Sequence, residues 1–454
     1  MIKMMFAAPR SGSGKTTVTT GMLALLKRKG LKTCAFKCGP DYIDPMFHRA
    51  VLGIDSHNMD LFFMDREAAL AHYERYTRGA DAVVFEGVMG FYDGAGVVTA
   101  DASSWHVADT FDVPVILVID AKGASLTLAA LIKGLAEFRK PGHVAGVILN
   151  NCSEMLYKSI AEGLERESGV PILGCVPRMD DVYIESRYLG LYTAGEIEDI
   201  NKRIERIADQ LEKSVDLERL LRICDVPESA PDRDAEVLSC SSYSAKIAVA
   251  RDKAFCFDYQ ENLDCFTDLG AELLFFSPMK DNALPEGASA LFLPGGYPEL
   301  YAKELSENRS MLESIRDAAS SGMPVMAECG GFMYLCRAIV DPDTGTEYEM
   351  AGVFPGTVTK QDRLVRFGYQ SLTAKEDSLL FEKGDTVRAH EFHYWDSDSN
   401  GTDLMAEKPS GRSWECAYAG ASIYAGFPHL YLPAYRKSAE RFVKKASEYG
   451  KEHS

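Results

Sequence analysis

Short apolar runs rich in β-branched residues alternate with helical stretches along the first part of the chain. MIKMMFAA comes first, followed by TCAFK, DAVVFEG, VPVILVID, VAGVILNN and VPILGCVP. Strands buried on both faces read as continuous apolar runs, so this alternation predicts a parallel sheet covered by helices. The first helix is expected after Lys15, with Leu and Met on one face. Lys27, Arg28 and Lys29 fall in its last turn, and Gly30 ends it. A second α/β pattern follows in KIAVARD, AELLFFS, ALFLPGG and MPVMAECGG. Between the two patterns, from about Tyr188 to Ser244, the chain turns charged and helical (EIEDINKRIERIADQLEKSVDLERLLR). It then becomes rich in Pro, Asp and Ser (DVPESAPDRDAEVLSCSSYS), which reads as a linker. The expected organisation is a first domain over 1–190, a helical segment and linker over 191–244, a second domain over 245–440 and a charged tail over 441–454.

Composition narrows the function. The chain has 454 residues, 46% of them hydrophobic and 26% charged, as in ordinary globular proteins. Its net charge of -18 repels nucleic-acid phosphates and anionic membrane surfaces, so small molecules are the expected ligands. No apolar run approaches a membrane span and no cleavable leader is evident, which places the expectation in the cytoplasm. The 11 cysteines show no C-x-x-C pairing and read as mostly free, buried thiols.

The stretch APRSGSGKTT ends in Gly-Lys-Thr but carries Pro9 where a Walker A loop has its first glycine. That position forms only the entry bend. Backbone N–H groups of Ser11, Gly12, Ser13 and Gly14, together with the positive end of the following helix, can hold phosphate oxygens. Lys15 supplies a point charge and Thr16 a magnesium ligand, and Thr17 is expected among the nucleotide-binding residues of the same loop. Glu86 ends DAVVFE, where a carboxylate facing the loop can bind magnesium; a cap or a paired acid is the plain alternative. Asp41 and Asp44 lie in KCGPDYIDP. Asp44 followed by Pro45 also fits a helix N-cap with proline at the first helical position, and Asp41 fits a turn. The loop nevertheless leaves the carboxyl end of a strand, where ligands of parallel sheets gather. Asp93, in GFYDG, leaves the same edge, and Asp93-Gly94 alone would be an ordinary turn. Asn150 and Asn151 close VAGVILNN and can read adenine or cap a loop.

In the second pattern, AECGG puts Cys329 between an apolar strand and a helix, in the position of a nucleophile elbow, with Ala327 replacing the first glycine. A thiol exposed there, at a helix N-terminus, is expected to favour thiolate. His429 in GFPHLYLP is the candidate base, and Gly295 and Gly296 in LFLPGGY can supply oxyanion N–H groups.

The combination SGSGKT, KCGPDYIDP, FEGVMGFYDG, PGGYPE, AECGGFMYL and HEFHY resembles the cobyrinate a,c-diamide synthases. The likeness runs from Ile2 to about Tyr435. It implies an α/β fold: a P-loop parallel-sheet domain, similar to dethiobiotin synthetase, followed by a class I glutamine amidotransferase domain. It also implies a ligase that uses ATP, Mg2+ and L-glutamine to amidate two acetate carboxylates of cobyrinate or a related corrinoid. Asp41, Asp44 and Asp93 match acids implicated at the carboxylate-activating or ammonia-handling site. Glu391, His393 and Tyr394 match a stretch near the macrocycle or an interface, and a strand-edge role fits equally. Unlike typical class I amidotransferases, the chain has Tyr431 in place of the acid two residues past the histidine, which leaves a Cys329–His429 dyad with no identified orienting group. Hydrogenobyrinate, nickel-sirohydrochlorin, the substrate of a cobyric-acid-synthase-like enzyme, or a P-loop switch with a non-catalytic second half remain open readings. So does oligomeric state, a homodimer included.

Overall fold

The computed structural model describes residues 1–179, 194–227 and 243–453. The chain divides into two units, Met1–Arg187 with Tyr192–Ala235, and Tyr188–Leu191 with Glu236–Ser454. Most of the predicted linker lies outside the described residues.

The first unit is built on a seven-stranded sheet. Its strands are β1 (Ile2–Ala7), β2 (Thr33–Cys38), β3 (Asp55–Met59), β4 (Ala82–Glu86), β5 (Val115–Asp120), β6 (Val144–Asn150) and β7 (Ile172–Val176). They run in the order β3-β2-β4-β1-β5-β6-β7, and every pairing is parallel. The predicted runs all form strands. The strand missed is β3, whose sequence DSHNM is polar although most of it is buried. Partners satisfy it: His48 Nδ1 lies 3.1 Å from Ser56 Oγ, His72 Nε2 lies 3.0 Å from Asn58 O, and Asn58 Nδ2 donates to Gly39 O at 3.0 Å.

The helix α1 (Lys15–Arg28) is buried around much of its circumference. Its apolar residues Val18, Met22 and Leu25 share a core with Ile204, Ile207, Ala208 and Leu211 of the helix Ala194–Ser214. The charged segment after residue 190 is thus no separate spacer. One stripe of it completes the first unit's core, and its polar face meets α1 through ion pairs of Arg28 with Glu205, Asp209 and Glu212.

The second unit has a mostly parallel sheet. Its strands, in spatial order, are Ala271–Phe276, Ala245–Ala250, Ala290–Leu293, Val325–Glu328 and Ile423–Gly426, with Tyr418–Ala419 antiparallel at one edge. A second, largely antiparallel sheet is dominated by the long pair Thr357–Ala374 and Thr386–Ser397. The expected charged tail is instead the end of the helix Arg436–Glu452, with Phe442, Val443 and Ala446 fully buried in this unit's core. The charge pattern marks only its outer face. Phe442 packs on Phe266, with ring centroids 5.4 Å apart. Phe442→Ala should therefore lower unfolding free energy by about 3 kcal/mol, measured by denaturant titration, whereas a dispensable tail would show no change.

Candidate functional site

In the first unit the phosphate loop connects β1 to α1, and Gly12 and Gly14 both take left-handed backbone conformations (φ 76° and 93°). Ser11 and Gly12 are exposed. Ser13 is buried, with its Oγ donating to Arg10 O at 2.9 Å. Asn150, at the end of β6, donates its Nδ2 to Ser13 O at 2.9 Å, so the amide braces the loop. Asn151 Nδ2 donates to Asp120 Oδ1 at 3.1 Å.

Glu86 lies in register with Phe6 of β1 and Lys37 of β2, which brings the ends of three strands together beneath the loop. Thr16 Oγ1 donates to Glu86 Oε1 at 2.5 Å, and Lys37 Nζ lies 2.8 Å from the same oxygen and 2.5 Å from Asp44 Oδ2. Burial and the neighbouring Asp44 push the Glu86 carboxyl up to about 7. Burial opposes the charges of Lys37 and Asp44 too, but their mutual attraction outweighs it, holding the lysine well above and the acid below its usual range. Lys15 is lowered to about 8 by burial and then by Lys37, and its Nζ donates to Met89 O at 2.7 Å. Glu86 Oε2 is buried without a hydrogen-bond partner. A buried carboxylate beside a threonine hydroxyl, with the Asp44 carboxylate next to it, is the donor set expected where magnesium is shared with nucleotide phosphates, so the residues fit that ion. No larger cluster of His, Cys, Asp and Glu suited to a metal occurs among the described residues.

The two acids of KCGPDYIDP divide their work differently from the simple capping scheme. Asp41 caps the short helix α2 (Ile43–Phe47), its Oδ1 accepting from Ile43 N at 2.8 Å and Asp44 N at 3.1 Å. Asp44, inside that helix, is left to pair with Lys37. Asp93 Oδ2 accepts from Gly90 N at 3.0 Å, in the loop that also presents Met89 O to Lys15. Lys15, Lys37, Glu86 and Asp44 thus form one connected set, with Asp41 beside it; Asp93 adjoins it through the loop.

In the second unit Cys329 ends the strand Val325–Glu328 and adopts φ 48°, ψ −104°, the strained turn of a nucleophile elbow. The close packing behind it depends on glycine, since a Cβ on Gly331 would stand 2.1 Å from Leu293 O. His429 lies on the short strand His429–Leu430, paired with Thr386–Ser397. The two glycines of PGGY join these residues: a Cβ on Gly295 would stand 2.6 Å from His429 Cε1, and one on Gly330 would stand 2.9 Å from Gly296 N. Gly295 and Gly296, which form a short strand rather than a turn, therefore lie between the histidine and the residue that follows the nucleophile.

The thiol itself departs from expectation. It is buried rather than exposed, and burial, with Glu299, Glu391 and Glu328 nearby, pushes it above the usual cysteine range despite the backbone N–H of Gly330. Of the HEFHY residues, Glu391 is buried and accepts from Gln370 Nε2 at 3.0 Å, while His393 stacks on Phe427 with centroids 4.0 Å apart. Tyr394 is exposed. Sequence reasoning missed Glu328, the residue preceding the nucleophile, whose Oε2 lies 3.5 Å from His429 Nδ1. Its signal was an acid in AECGG combined with the loss of an acid at position 431.

Fold and site together define a class: a P-loop nucleotide-binding unit in one chain with a class I glutamine amidotransferase unit. Residues 4–188 match the family described as the CobQ/CobB/MinD/ParA nucleotide binding domain, and residues 246–433 match the CobB/CobQ-like glutamine amidotransferase domain. Proteins named cobyrinate a,c-diamide synthase are similar over nearly the whole length. That of Caldanaerobacter subterraneus subsp. tengcongensis is 38% identical, covering 98% of this chain and 99% of its own. That of Picrophilus torridus is 39% identical, covering 97% and 98%, and that of Listeria innocua 38%, covering 95% and 96%. The chain belongs to the cobyrinate a,c-diamide synthase family. Among the described residues no helix is long and apolar enough to cross a membrane.

Proposed function

We propose that the protein converts the a and c acetate carboxylates of cobyrinate to amides, in cobalamin biosynthesis in the cytoplasm, with ATP as activator and glutamine as nitrogen donor. The observation that carries this reading is the coexistence, in a member of this family, of an intact phosphate loop tied to Glu86 and a glycine pair between His429 and the residue that follows Cys329.

A carboxylate resists amidation because it is negatively charged and offers a poor leaving group. One carboxylate oxygen attacks the γ-phosphorus of ATP, the bond to the bridging oxygen breaks, and ADP leaves an acyl phosphate. Ammonia then attacks the acyl carbon and inorganic phosphate departs. The N–H groups from Ser11 to Thr17 and the Lys15 ammonium hold the phosphates, which is positioning and charge stabilisation. Thr16 and Glu86 would hold a magnesium ion, which would neutralise charge on the transferring phosphoryl group. Lys37 keeps Asp44 ionised beside this centre, and Asp41 fixes the backbone of the same loop. Asp44, Asp41 and Asp93 are the acids available to orient the acetate or take the proton that ammonia loses; two adjoining acids titrate as a pair.

In the other unit Cys329 attacks the side-chain amide of glutamine, with His429 taking the thiol proton and returning it to departing ammonia. The N–H groups of Gly295 and Gly296 stabilise the oxyanion. Water then releases glutamate from the thioester. Asn150 supports the nucleotide through the loop backbone it braces.

Mass spectrometry of cobyrinate incubated with the enzyme, ATP, magnesium and glutamine tests this reading. Loss of one mass unit for each carboxyl amidated, in two successive steps, is the expected result. Unchanged cobyrinate alongside continuing glutamine hydrolysis would remove the substrate assignment, and hydrogenobyrinate and nickel-sirohydrochlorin would be tried next.

A further inference from the structure

His429 lacks an acid two residues downstream. Tyr431 stands there, its ring packed edge-on against Tyr259 with centroids 5.2 Å apart. The imidazole is nevertheless bracketed on two sides. Near Cε1 and Nε2 runs the backbone of Gly295, where a Cβ would approach to 2.6 and 3.4 Å. At Nδ1 stands Glu328, with Oε2 3.5 Å away.

Glu328 is an unusual carboxylate to find in this place. It is buried, and burying a carboxylate is costly unless hydrogen bonds or a counter-charge compensate. Its Oε1 accepts from Leu430 N at 3.0 Å, so one side chain addresses the ring of His429 and the backbone of the next residue. The same short segment is clamped from a second element: Asn262 Nδ2 donates to Leu430 O at 2.8 Å and its Oδ1 accepts from Leu432 N at 2.8 Å. In an extended strand, residues 328 and 329 would project to opposite faces. The left-handed turn at Cys329 ends that alternation, so sequence neighbours can address the two nitrogens of one ring.

We propose that Glu328 is the positioning residue for His429, filling from the nucleophile's own strand the role that an acid past the histidine fills in other class I amidotransferases. It holds Nδ1 as the protonated nitrogen, leaving the Nε2 lone pair to accept the Cys329 proton. It then faces the imidazolium that results. Glu328 touches neither glutamine nor the reacting atoms. A further titratable group beside the ring is His390, in register with His429, which burial and then His429 lower to about 3, keeping it neutral. Glu299 and Glu391 adjoin the thiol.

The inference rests on the reading of Cys329 and His429 as a glutaminase. It is tested by the pH profile of glutamate release in the full-length enzyme, Glu328→Gln, Glu328→Asp and a Cys329→Ala control. Glutamine keeps an acceptor for Leu430 N but removes the charge. We expect kcat to fall on the order of 10²-fold with the KM for glutamine little changed. The acid limb should move to lower pH, because an imidazolium without its counter-charge loses its proton more readily. Aspartate should restore part of the rate and return the limb toward that of the wild type. An unchanged rate and limb in Glu328→Gln would overturn the inference. So would a loss that aspartate does not relieve and that ammonium-driven amidation shares, since that pattern marks a folding role. If the unaltered enzyme released no glutamate, or Cys329→Ala released it equally, the glutaminase reading itself would fall.

Discussion

Cys329→Ala should reduce glutamine-driven amidation on the order of 10⁴-fold or more while amidation driven by ammonium salt continues. The argument is one of bonds. Without the sulfur no thioester forms, and the remaining imidazole and glycine pair cannot replace a covalent intermediate. The acyl phosphate, however, is made in the other unit from ATP and a carboxylate, and it accepts ammonia from any source. Liquid chromatography of corrinoid products with each nitrogen donor measures the split, and equal loss with both donors would contradict separate sites. The resting thiol adds a second expectation. Because burial and surrounding carboxylates hold it protonated, iodoacetamide should label Cys329 slowly at neutral pH and faster as pH rises, since only the thiolate reacts.

Which features were legible in the sequence follows from how their physics is encoded. The β1–α1 loop was readable because phosphate binding needs glycine, lysine and threonine at fixed spacing, whatever surrounds them. The parallel strands were readable because burial on both faces leaves apolar runs. β3 was not, since Ser56, His57 and Asn58 are buried through specific partners that no periodicity announces. The outer helices misled for the opposite reason. Arg436–Glu452 and Ala194–Ser214 are charged on average, and the few apolar residues on one stripe decide where they lie. At the site, Asp41 and Asp44 are three residues apart and chemically alike. Their division into a cap and an ion-pair partner depends on Lys37 at the end of β2, which pairs with Asp44 and, through the β2–β4 register, with Glu86 as well. Glu328 was passed over because its role depends on the turn at Cys329 and on a strand about a hundred residues later.

Lys15→Met should lower both glutamine- and ammonium-driven amidation on the order of 10³-fold while glutamate release persists. Methionine matches the length of the side chain, so the loop keeps its shape and only the charge and one hydrogen bond, to Met89 O, are lost. That charge matters because of the company it keeps. Lys37 is committed to Glu86 and Asp44, whereas Lys15 donates to a backbone carbonyl, and its lowering to about 8 reflects burial and then the neighbouring Lys37. An ATP phosphate is the anion that the Lys15 charge would meet. Met89 sits in a left-handed conformation (φ 46°) in the loop that carries Asp93. Isothermal titration with ATP and magnesium, beside product assays with both nitrogen donors, checks this. Weakened nucleotide binding with both amidation routes lost is expected, and full ammonium-driven activity in the variant would exclude Lys15 from the phosphoryl-transfer step.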